Sequence, residues 1–343
     1  MSGTTIPDIA RRAGVSPSTV DRTLNGRAGV RAANRQRVLK AAEELGYLPM
    51  EDARAMPARA AHLEFLIPHA LNAFLLELIS HVEDYARRLP LVASCAMRSV
   101  ADLSPEALIE AVDRISLRTS GVGLIAVDHP RTRHVIRELD AAGIRVVTLA
   151  TDVPGSPRSA YVGVDNRIAG RTAALAMGRM ATGREGRVAI LYGSAGLHGH
   201  DMRLSGFRAV LSEQFPALTA LPAEETREDA GIAEAVTARL MRTAGDIVGI
   251  YCAGAARTGV ADALRGWCAE TDRPRPFVVM HDLTPDTRRY LAEDRIDVVI
   301  DQNARLMAEQ SVLNLLGSIA SARPYLTFKY IEPRIIMREN VPI

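Results

Sequence analysis

Apolar residues near the start of the chain recur at helical spacing. Ile6, Ile9, Ala10 and Ala13 lie three or four positions apart, and Gly14 then interrupts the pattern. This spacing puts the four side chains on one face, so it predicts a short helix that ends in a glycine turn.

Two further helices are predicted before residue 50. Ser16 can cap the free amides of a second helix, and Pro17 suits its first position because the missing N–H has no partner there. Val20 lies on the expected buried face of that helix, and an Asn-Gly pair ends it. A third helix is predicted from about Ala32 to Leu45, closed by a glycine.

From residue 62 onward, short apolar runs alternate with amphipathic stretches. Runs such as LEFLIP, RVAILYG and PFVVMH have the length of buried strands. The predicted helices lie near 73–88, 104–117, 131–142, 167–181, 201–214, 229–243, 257–269 and 285–292. Repeated βαβ units indicate a parallel sheet, and two successive series indicate two lobes with a ligand cleft at the strand ends.

The predicted fold class is therefore α/β, with a small helical unit attached. We expect a three-helix headpiece at 1–49, a linking segment at 50–61 and a doubly wound, two-lobed parallel-sheet region at 62–343. The predicted first lobe comprises about 62–162 and 302–325, and the predicted second lobe comprises about 163–301 and 326–343.

Charge is distributed unevenly along the chain. Residues 1–49 hold eight basic and four acidic residues, a net of +4, which leaves −2 for the other residues out of the total of +2. Only this first segment has the charge to attract a polyanion, but a basic segment is often only a solvated arm, so charge alone does not decide between the two.

Several classes of protein fit the sequence poorly. The three cysteines are odd in number and have no CxxC pair, so we expect buried thiols rather than a disulfide framework or a zinc site. We find no P-loop, GxSxG or GxGxxG motif, which argues against an enzyme, and we expect no cofactor. His198 and His200 belong to the run HGHD, which we interpret as adjacent surface residues rather than a metal site. With no long apolar run or signal-like segment, we expect a cytoplasmic protein without membrane contact.

The first fifty residues resemble the DNA-binding headpiece of the LacI family. The stretch IPDIARRAGVSPSTVDRTLNGRAGV follows the family pattern, with its AGVS turn and TVxRxLN motif, and LGYLP follows later. The resemblance implies a helix-turn-helix whose second helix enters the major groove of DNA. The family's base-reading positions correspond to Pro17, Ser18 and Arg22, and its phosphate-gripping or anchoring positions to Ser16, Thr19, Asn25 and Arg35.

Arg22 is the strongest candidate for base recognition. Its guanidinium can bind O6 and N7 of a guanine, a contact that contributes about 1–3 kcal/mol of discrimination. Asp21 departs from the small hydroxyl residue common at its position, and phosphates would repel it unless it accepts from a cytosine amine or pairs with an arginine.

The linking segment MEDARAMPARAA allows two interpretations. It is a flexible linker, or it is the hinge helix that the LacI resemblance implies, which forms when two subunits meet on DNA. In the second interpretation Met56 wedges into the minor groove, with Ala53 one turn earlier.

The remainder resembles the type 1 periplasmic-binding-protein fold of LacI-family sensor domains. That resemblance implies effector contacts after successive strands, from Asn72, Phe74, Asp152, Arg158, Arg203, Asp282 and Gln302. The strand IVGIYCAGAA departs from the pattern, because Cys252 and Ala255 stand where sugar-binding relatives supply an Asn or Asp.

Together these features predict a sequence-specific transcriptional regulator, expected to be a repressor. We expect a homodimer on a pseudo-palindromic double-stranded operator, controlled by a small molecule in the cleft, most simply a carbohydrate. Two alternatives stay open: a solute-binding receptor without a regulatory role, and a regulator that uses a purine-type corepressor.

Overall fold

The computed structural model describes residues 5–24, 30–45, 57, 60–68, 72–181, 184–320 and 330–342. Asn25, Ala53 and Met56, three of the predicted DNA-contacting residues, lie outside these ranges. None of the described helices is both long and apolar enough to cross a membrane.

Three short helices form the headpiece, close to their predicted bounds. They are α1 (Ile6–Ala13), α2 (Pro17–Leu24) and α3 (Ala32–Glu44). They share one small core, formed by Ile9, Ala10, Ala13, Val20, Val38, Ala41 and Ala42. Gly14 ends α1 with a left-handed backbone (φ +64°), and its N–H donates to the Ala10 carbonyl.

Strands and helices alternate through the rest of the chain. In chain order they are β1 (Ala61–Pro68), α4 (Ala73–Arg88), β2 (Val92–Val100), α5 (Pro105–Val112), β3 (Gly121–Leu124), α6 (Pro130–Ala141), β4 (Arg145–Leu149), β5 (Ala160–Val162), α7 (Asn166–Met180), β6 (Gly186–Tyr192), α8 (His198–Gln214), β7 (Leu218–Glu225), α9 (Ala230–Thr243), β8 (Ile247–Cys252), α10 (Arg257–Glu270), β9 (Phe277–His281), α11 (Pro285–Ala292), β10 (Val298–Asp301), α12 (Ala304–Ala320) and β11 (Arg334–Ile336).

The strands form two sheets, which confirms the predicted α/β class. The first sheet has the order β2-β1-β3-β4-β5 and is parallel throughout. The second has the order β11-β10-β9-β8-β6-β7, parallel except for the antiparallel edge strand β11. Both orders reverse direction within the sheet, which creates the crevice at the strand ends where α/β proteins bind ligands.

Helices α7 and α8 pack unusually closely in the second lobe. A Cβ on Gly170 would lie 2.1 Å from the Arg203 carbonyl oxygen, and one on Gly206 would lie 2.2 Å from the Arg167 carbonyl oxygen. Backbone therefore meets backbone at both crossings, and the position of Arg203 on α8 is fixed by this contact.

The structure differs from the sequence predictions at several elements. Strand β7 was not predicted, because LTALPAEE contains a proline and forms a sheet edge with mostly half-buried side chains. Helix α5 ends at Val112 rather than near 117, and Leu117 is fully exposed, so it adds no apolar contact that would extend the helix.

The cysteines match the prediction only in part. All three are free, as expected, and Cys252 is buried. Cys268 is exposed, which makes the expectation of a buried thiol wrong at that position.

Candidate functional site

Hydrogen bonds among hydroxyl side chains stabilise the start of α2. Ser16 Oγ accepts from the Thr19 backbone N–H at 3.2 Å, which is the capping bond that the sequence predicts. The same hydroxyl lies 3.0 Å from Ser18 Oγ and 2.9 Å from Thr19 Oγ1. This cluster orders the first turn of α2, where the resemblance places DNA contacts.

The outer face of α2 is available to a partner. Pro17, Ser18 and Arg22 are exposed, whereas Thr19 and Asp21 are half-buried. Arg35, on α3, is only 6% exposed, and burial lowers its pKa. That position suits anchoring within the headpiece better than gripping a phosphate from solvent.

A cavity of about 680 Å³ lies between the strand ends of the two sheets. The first wall comes from the lobe of the first sheet and consists of Pro68, Asn72, Phe74, Leu75, Ala101, Asp102, Leu103, Ile125, Ala150 and Thr151. The second wall comes from the other lobe and consists of Ser194, Leu197, Gly199, His200, Arg203, Glu225, Arg227, Glu228, Asp229, Gly254, Ala255, Asp282 and Gln302. The volume suits a small molecule such as a monosaccharide or a nucleobase.

Five of the seven predicted effector residues line this cavity. They are Asn72, Phe74, Arg203, Asp282 and Gln302. Asp152 and Arg158 are absent from the lining and pair with each other, with Arg158 Nη2 2.5 Å from Asp152 Oδ2. Thr148 Oγ1 also donates to Asp152 at 2.8 Å, so this carboxylate organises the loop after β4.

Arg203 is held by two acceptors inside the second lobe. Its Nε donates to Asn166 Oδ1 at 2.7 Å, and its Nη1 donates to the Ala253 carbonyl at 2.8 Å. The residue is 4% exposed and reaches the cavity wall. A fixed guanidinium of this kind can donate to a ligand oxygen without losing side-chain entropy.

Asp282 is surrounded by donors although sequence reasoning assigned it to the ligand. Arg257 Nη1 donates to its Oδ2 at 2.9 Å, and Gln302 Nε2 donates to its Oδ1 at 2.6 Å. Arg257 also donates across the cleft to Asn72 Oδ1 at 3.1 Å. This buried arginine therefore links the two lobes beside the cavity, at the strand end where the sequence lacks the expected Asn or Asp.

The loop after β7 carries Glu228 to the cavity. Arg227 and Glu228 both have left-handed backbones, with φ of +51° and +60°. Ala255 N–H donates to Glu228 Oε2 at 2.6 Å, and His200 Nε2 lies 3.7 Å from Oε1. Burial raises the pKa of Glu228, while burial and the nearby Arg203 lower the pKa of His200 to about 3.

Backbone strain is concentrated around the cavity. Six described non-glycine residues have positive φ, and four of them line it: Ala150, Arg227, Glu228 and Asp282. Such conformations cost about 1–3 kcal/mol each and are retained mainly where function requires a particular geometry. This concentration supports a role for the cavity in ligand binding.

Sequence reasoning missed three residues of the site. Glu228 follows a strand that was not predicted, and Arg257 was passed over in favour of the alanines before it. His200 was interpreted as a surface residue, but its side chain is only 12% exposed and lines the cavity. Their place in the sequence could have identified them, because each lies shortly after a strand of the second sheet, where ligand-binding residues of α/β proteins are found.

No metal-binding group of three or more His, Cys, Asp or Glu side chains occurs among the described residues. The partners of His200 are consistent with a role other than metal binding, since Ser194 N–H donates to its Nδ1 at 3.4 Å.

Two family models match the chain. Residues 5–50 match the lacI family of bacterial regulatory proteins, and residues 63–320 match the periplasmic binding protein domain. The second match covers well over half of the 343 residues.

Curated relatives share parts of the chain. The HTH-type transcriptional regulator GntR of Pseudomonas aeruginosa is 33% identical over 179 residues, covering 51% of each chain. The ribose operon repressor of Bacillus subtilis is 29% identical over 216 residues, covering 61% of this chain and 60% of the relative. The HTH-type transcriptional repressor PurR of Vibrio parahaemolyticus is 38% identical over 85 residues, covering 24% and 25%. The chain thus spans about half the length of the first relative.

Solved structures share the two-lobed fold. A solute binding protein from Burkholderia graminis in complex with D-arabinose has a TM-score of 0.74 at 22% identity, covering 82% of this chain and 97% of that one. A solute binding protein from Bacillus halodurans with bound myo-inositol has a TM-score of 0.72 at 18% identity, covering 82% and 96%. At these identities the likeness establishes the fold alone.

Proposed function

We propose that this chain, which belongs to the periplasmic binding protein domain family and carries a headpiece of the lacI family of bacterial regulatory proteins, is a DNA-binding transcriptional repressor controlled by a small-molecule effector. One observation carries the proposal: a helix-turn-helix with an exposed polar reading face and a polar, strained ligand cavity occur in a single chain. The relatives that share segments with the chain are named as regulators or repressors, which favours a non-catalytic role.

The DNA-binding part follows from α2. Its exposed residues Pro17, Ser18 and Arg22 face outward from the headpiece core, and a helix of this size fits the major groove. One headpiece contacts few base pairs, so two copies are needed for a specific site. We therefore propose a homodimer on a pseudo-palindromic operator, in the cytoplasm where such an operator is found. In this proposal Met56 wedges into the minor groove, with Ala53 contacting DNA one turn earlier.

The effector part follows from the cavity. Arg203, Asn72 and Gln302 offer fixed hydrogen-bonding groups, and Phe74 offers an apolar face, which suits a polyhydroxylated ligand. A ligand that prefers one arrangement of the lobes shifts the operator affinity by its differential affinity for the two states. We expect the effector to weaken operator binding, whereas a purine-type corepressor would strengthen it.

Selection from random double-stranded DNA tests the DNA-binding part. We expect enrichment of a two-fold symmetric site, and fluorescence anisotropy should then show that Arg22→Ala weakens binding to that site by about 1–3 kcal/mol and relaxes one base position in each half-site.

Arg11→Ala is the matched control, because Arg11 is exposed on α1 and pairs with Asp8 at 3.2 Å. It removes one positive charge from the same headpiece without altering α2. If no symmetric site is enriched, or if both variants lose the same affinity without a change in base preference, the proposed reading role of α2 is wrong.

A further inference from the structure

Buried carboxylates in the described part of the chain are neutralised by arginines. Glu64, Asp282 and Asp301 are the acidic side chains that are buried there. Glu64 pairs with Arg98, Asp282 pairs with Arg257 at 2.9 Å, and Asp301 pairs with Arg334 at 2.9 Å. A carboxylate removed from water needs such a partner, because leaving its charge unpaired is expensive.

Glu228 lacks an arginine partner. Its side chain is 19% exposed, and its only neighbour in a potential ion pair among the described residues is His200, at 3.7 Å. The ring of His200 is neutral at physiological pH, since its pKa is lowered to about 3 by burial and by Arg203. The carboxylate therefore has one firm hydrogen bond, from Ala255 N–H, and an unfilled side toward the cavity.

Arg257 and Arg203, the two arginines whose charges act on Glu228, are engaged elsewhere. Arg257 donates to Asp282 and Asn72, and Arg203 donates to Asn166 and Ala253. Burial raises the pKa of Glu228 and the positive charges of both arginines oppose that rise, but neither arginine forms a direct ion pair with its carboxylate.

The loop geometry holds Glu228 in this place. Its own backbone and that of Arg227 are left-handed, and the Arg227 N–H donates to the Gly193 carbonyl at 2.8 Å. Gly193 also leaves room for the carboxylate, because a Cβ there would lie 1.5 Å from Glu228 Oε1.

Gln302 provides a second, independent acceptor for a ligand. It is 2% exposed and lines the same cavity, and its Oε1 is buried without a hydrogen-bond partner among the described residues. A buried carbonyl without a partner needs a donor from elsewhere, and a bound ligand can supply one. The Glu228 carboxylate and Gln302 Oε1 can thus both accept hydrogen bonds from a ligand.

We infer that Glu228 determines the effector specificity of this cavity, and that the effector is a polyhydroxylated compound carrying a protonated amine, such as an amino sugar or an aminocyclitol, whose ammonium group binds the Glu228 carboxylate. This inference rests on the proposed function, because it concerns the same effector site. The other charges agree with it: Asp102, Glu225 and Asp229 also line the cavity, against Arg203 and Arg227, while Asp282 is paired with Arg257. Anionic ligands such as sugar acids and sugar phosphates meet repulsion there.

Matched ligand sets test the inference on the full-length protein. Each set keeps one carbon skeleton and varies one substituent: D-glucosamine, D-glucose, N-acetyl-D-glucosamine and D-glucuronate form one set, and the galactose, mannose and inositol skeletons form others. Dissociation constants come from the thermal midpoint at increasing ligand concentration. We expect at least one amine to bind tenfold or more tightly than its hydroxyl, acetamide and carboxylate counterparts, since a charge-assisted hydrogen bond is about twice as strong as a neutral one.

Two variants assign the preference to Glu228. Glu228→Gln keeps the size of the side chain and should abolish the preference for the amine while changing the affinity for the hydroxyl counterpart less than threefold. Glu234→Gln, on the exposed face of α9, removes one negative charge from the same lobe and should keep the preference. The thermal midpoint of each variant without ligand reports whether it folds.

The inference is overturned by any of three results: in every set a neutral or anionic member binds as tightly as its amine, Glu228→Gln keeps the preference, or no compound in any set binds. Selection for operator DNA is carried out on the same protein without ligand. If an operator is selected but the amine preference fails, the regulator stands and the effector class is wrong. If no operator is selected, the proposed function fails whatever the cavity binds.

Discussion

The two walls of the cavity are built from different kinds of residue. Asp102 is the one charged side chain that the described part of the first wall contributes, and its other members are mostly apolar or small. The second wall contributes six charged side chains together with His200. The first wall therefore supplies shape and an apolar surface, and the second wall supplies the chemistry that distinguishes one ligand from another.

The two walls also differ in backbone strain. Three of the four strained non-glycine residues at the cavity belong to the second wall: Arg227, Glu228 and Asp282. Hydrogen bonds join the two lobes beside the cavity, from Gly199 N–H to Thr151 Oγ1 at 3.0 Å and from Arg257 to Asn72 Oδ1 at 3.1 Å. The comparison teaches that the polar and charged groups are concentrated on one lobe, while the other lobe contributes mainly apolar surface.

The largest expected effect comes from removing the arginine that supports the second wall. Arg257→Ala leaves the buried Asp282 carboxylate without its ion pair, so we expect the free energy of unfolding to fall by about 3–5 kcal/mol in urea denaturation. Arg239→Ala is the control, because its pair with Glu224 is exposed and contributes at most about 1 kcal/mol. Equal losses in the two variants would show that Arg257 has no special role in the wall.

The next largest effect is the pH dependence of stability that His200 gives to the second wall. His200 is neutral in the folded protein down to about pH 3, whereas it takes up a proton near pH 6.5 when unfolded. The unfolded state thus binds more protons between these values, so this histidine makes stability fall with decreasing pH, by about 2 kcal/mol between pH 7 and pH 5. Glu228 acts in the opposite sense, because its pKa is raised.

Comparison with a variant isolates the contribution of His200. His200→Asn should lose less stability between pH 7 and pH 5 than the unaltered protein, in chemical denaturation at each pH. His134→Asn changes an exposed side chain on α6 and should leave the pH dependence as it is. An unchanged pH dependence in His200→Asn would mean that the second wall does not hold a neutral histidine.

A smaller effect is expected for ligand affinity at Arg203. Arg203→Ala removes a fixed donor from the second wall, so an effector found in the matched sets should bind about 10- to 100-fold more weakly, by calorimetric titration. Arg208→Ala lies on the exposed face of the same helix α8 and should bind normally. Weakening in both variants would point to a general effect of charge.

The smallest effect on stability is expected at Gly193. Gly193→Ala places a methyl group against the Glu228 carboxylate, which can move because it is the end of a flexible side chain. The free energy of unfolding should fall by about 1 kcal/mol, since the Cβ would also lie 2.7 Å from Cε1 of the His200 ring, which has to shift. The preference for an amine should nevertheless fall, and a variant that keeps it would show that the position of Glu228 is unimportant.

The headpiece could be predicted almost completely from its sequence. Ser16, Gly14 and the apolar spacing of α1 act through neighbours a few residues away, so local rules give both the helices and their shared core. The strand–helix alternation of the lobes was predictable for the same reason, because buried parallel strands are short apolar runs.

The cavity could be predicted only where a motif marked it. Asn72 and Arg203 follow recognisable patterns, and both line the cavity. The contact between Arg257 and Asn72 joins residues 185 positions apart, and no local pattern encodes such a contact. Glu228 was missed because β7 is an edge strand interrupted by a proline, so its apolar pattern is weak.

The close packing of α7 and α8 also bears on how this protein can change over evolutionary time. Gly170 and Gly206 leave no space for even one added methyl group, since backbone oxygens would be little more than 2 Å away. Mutations that enlarge either residue are removed by selection for folding before their effect on ligand binding matters. We therefore expect the crossing of α7 and α8 to change slowly, and changes in ligand specificity to arise more readily in the loops after β7 and β8.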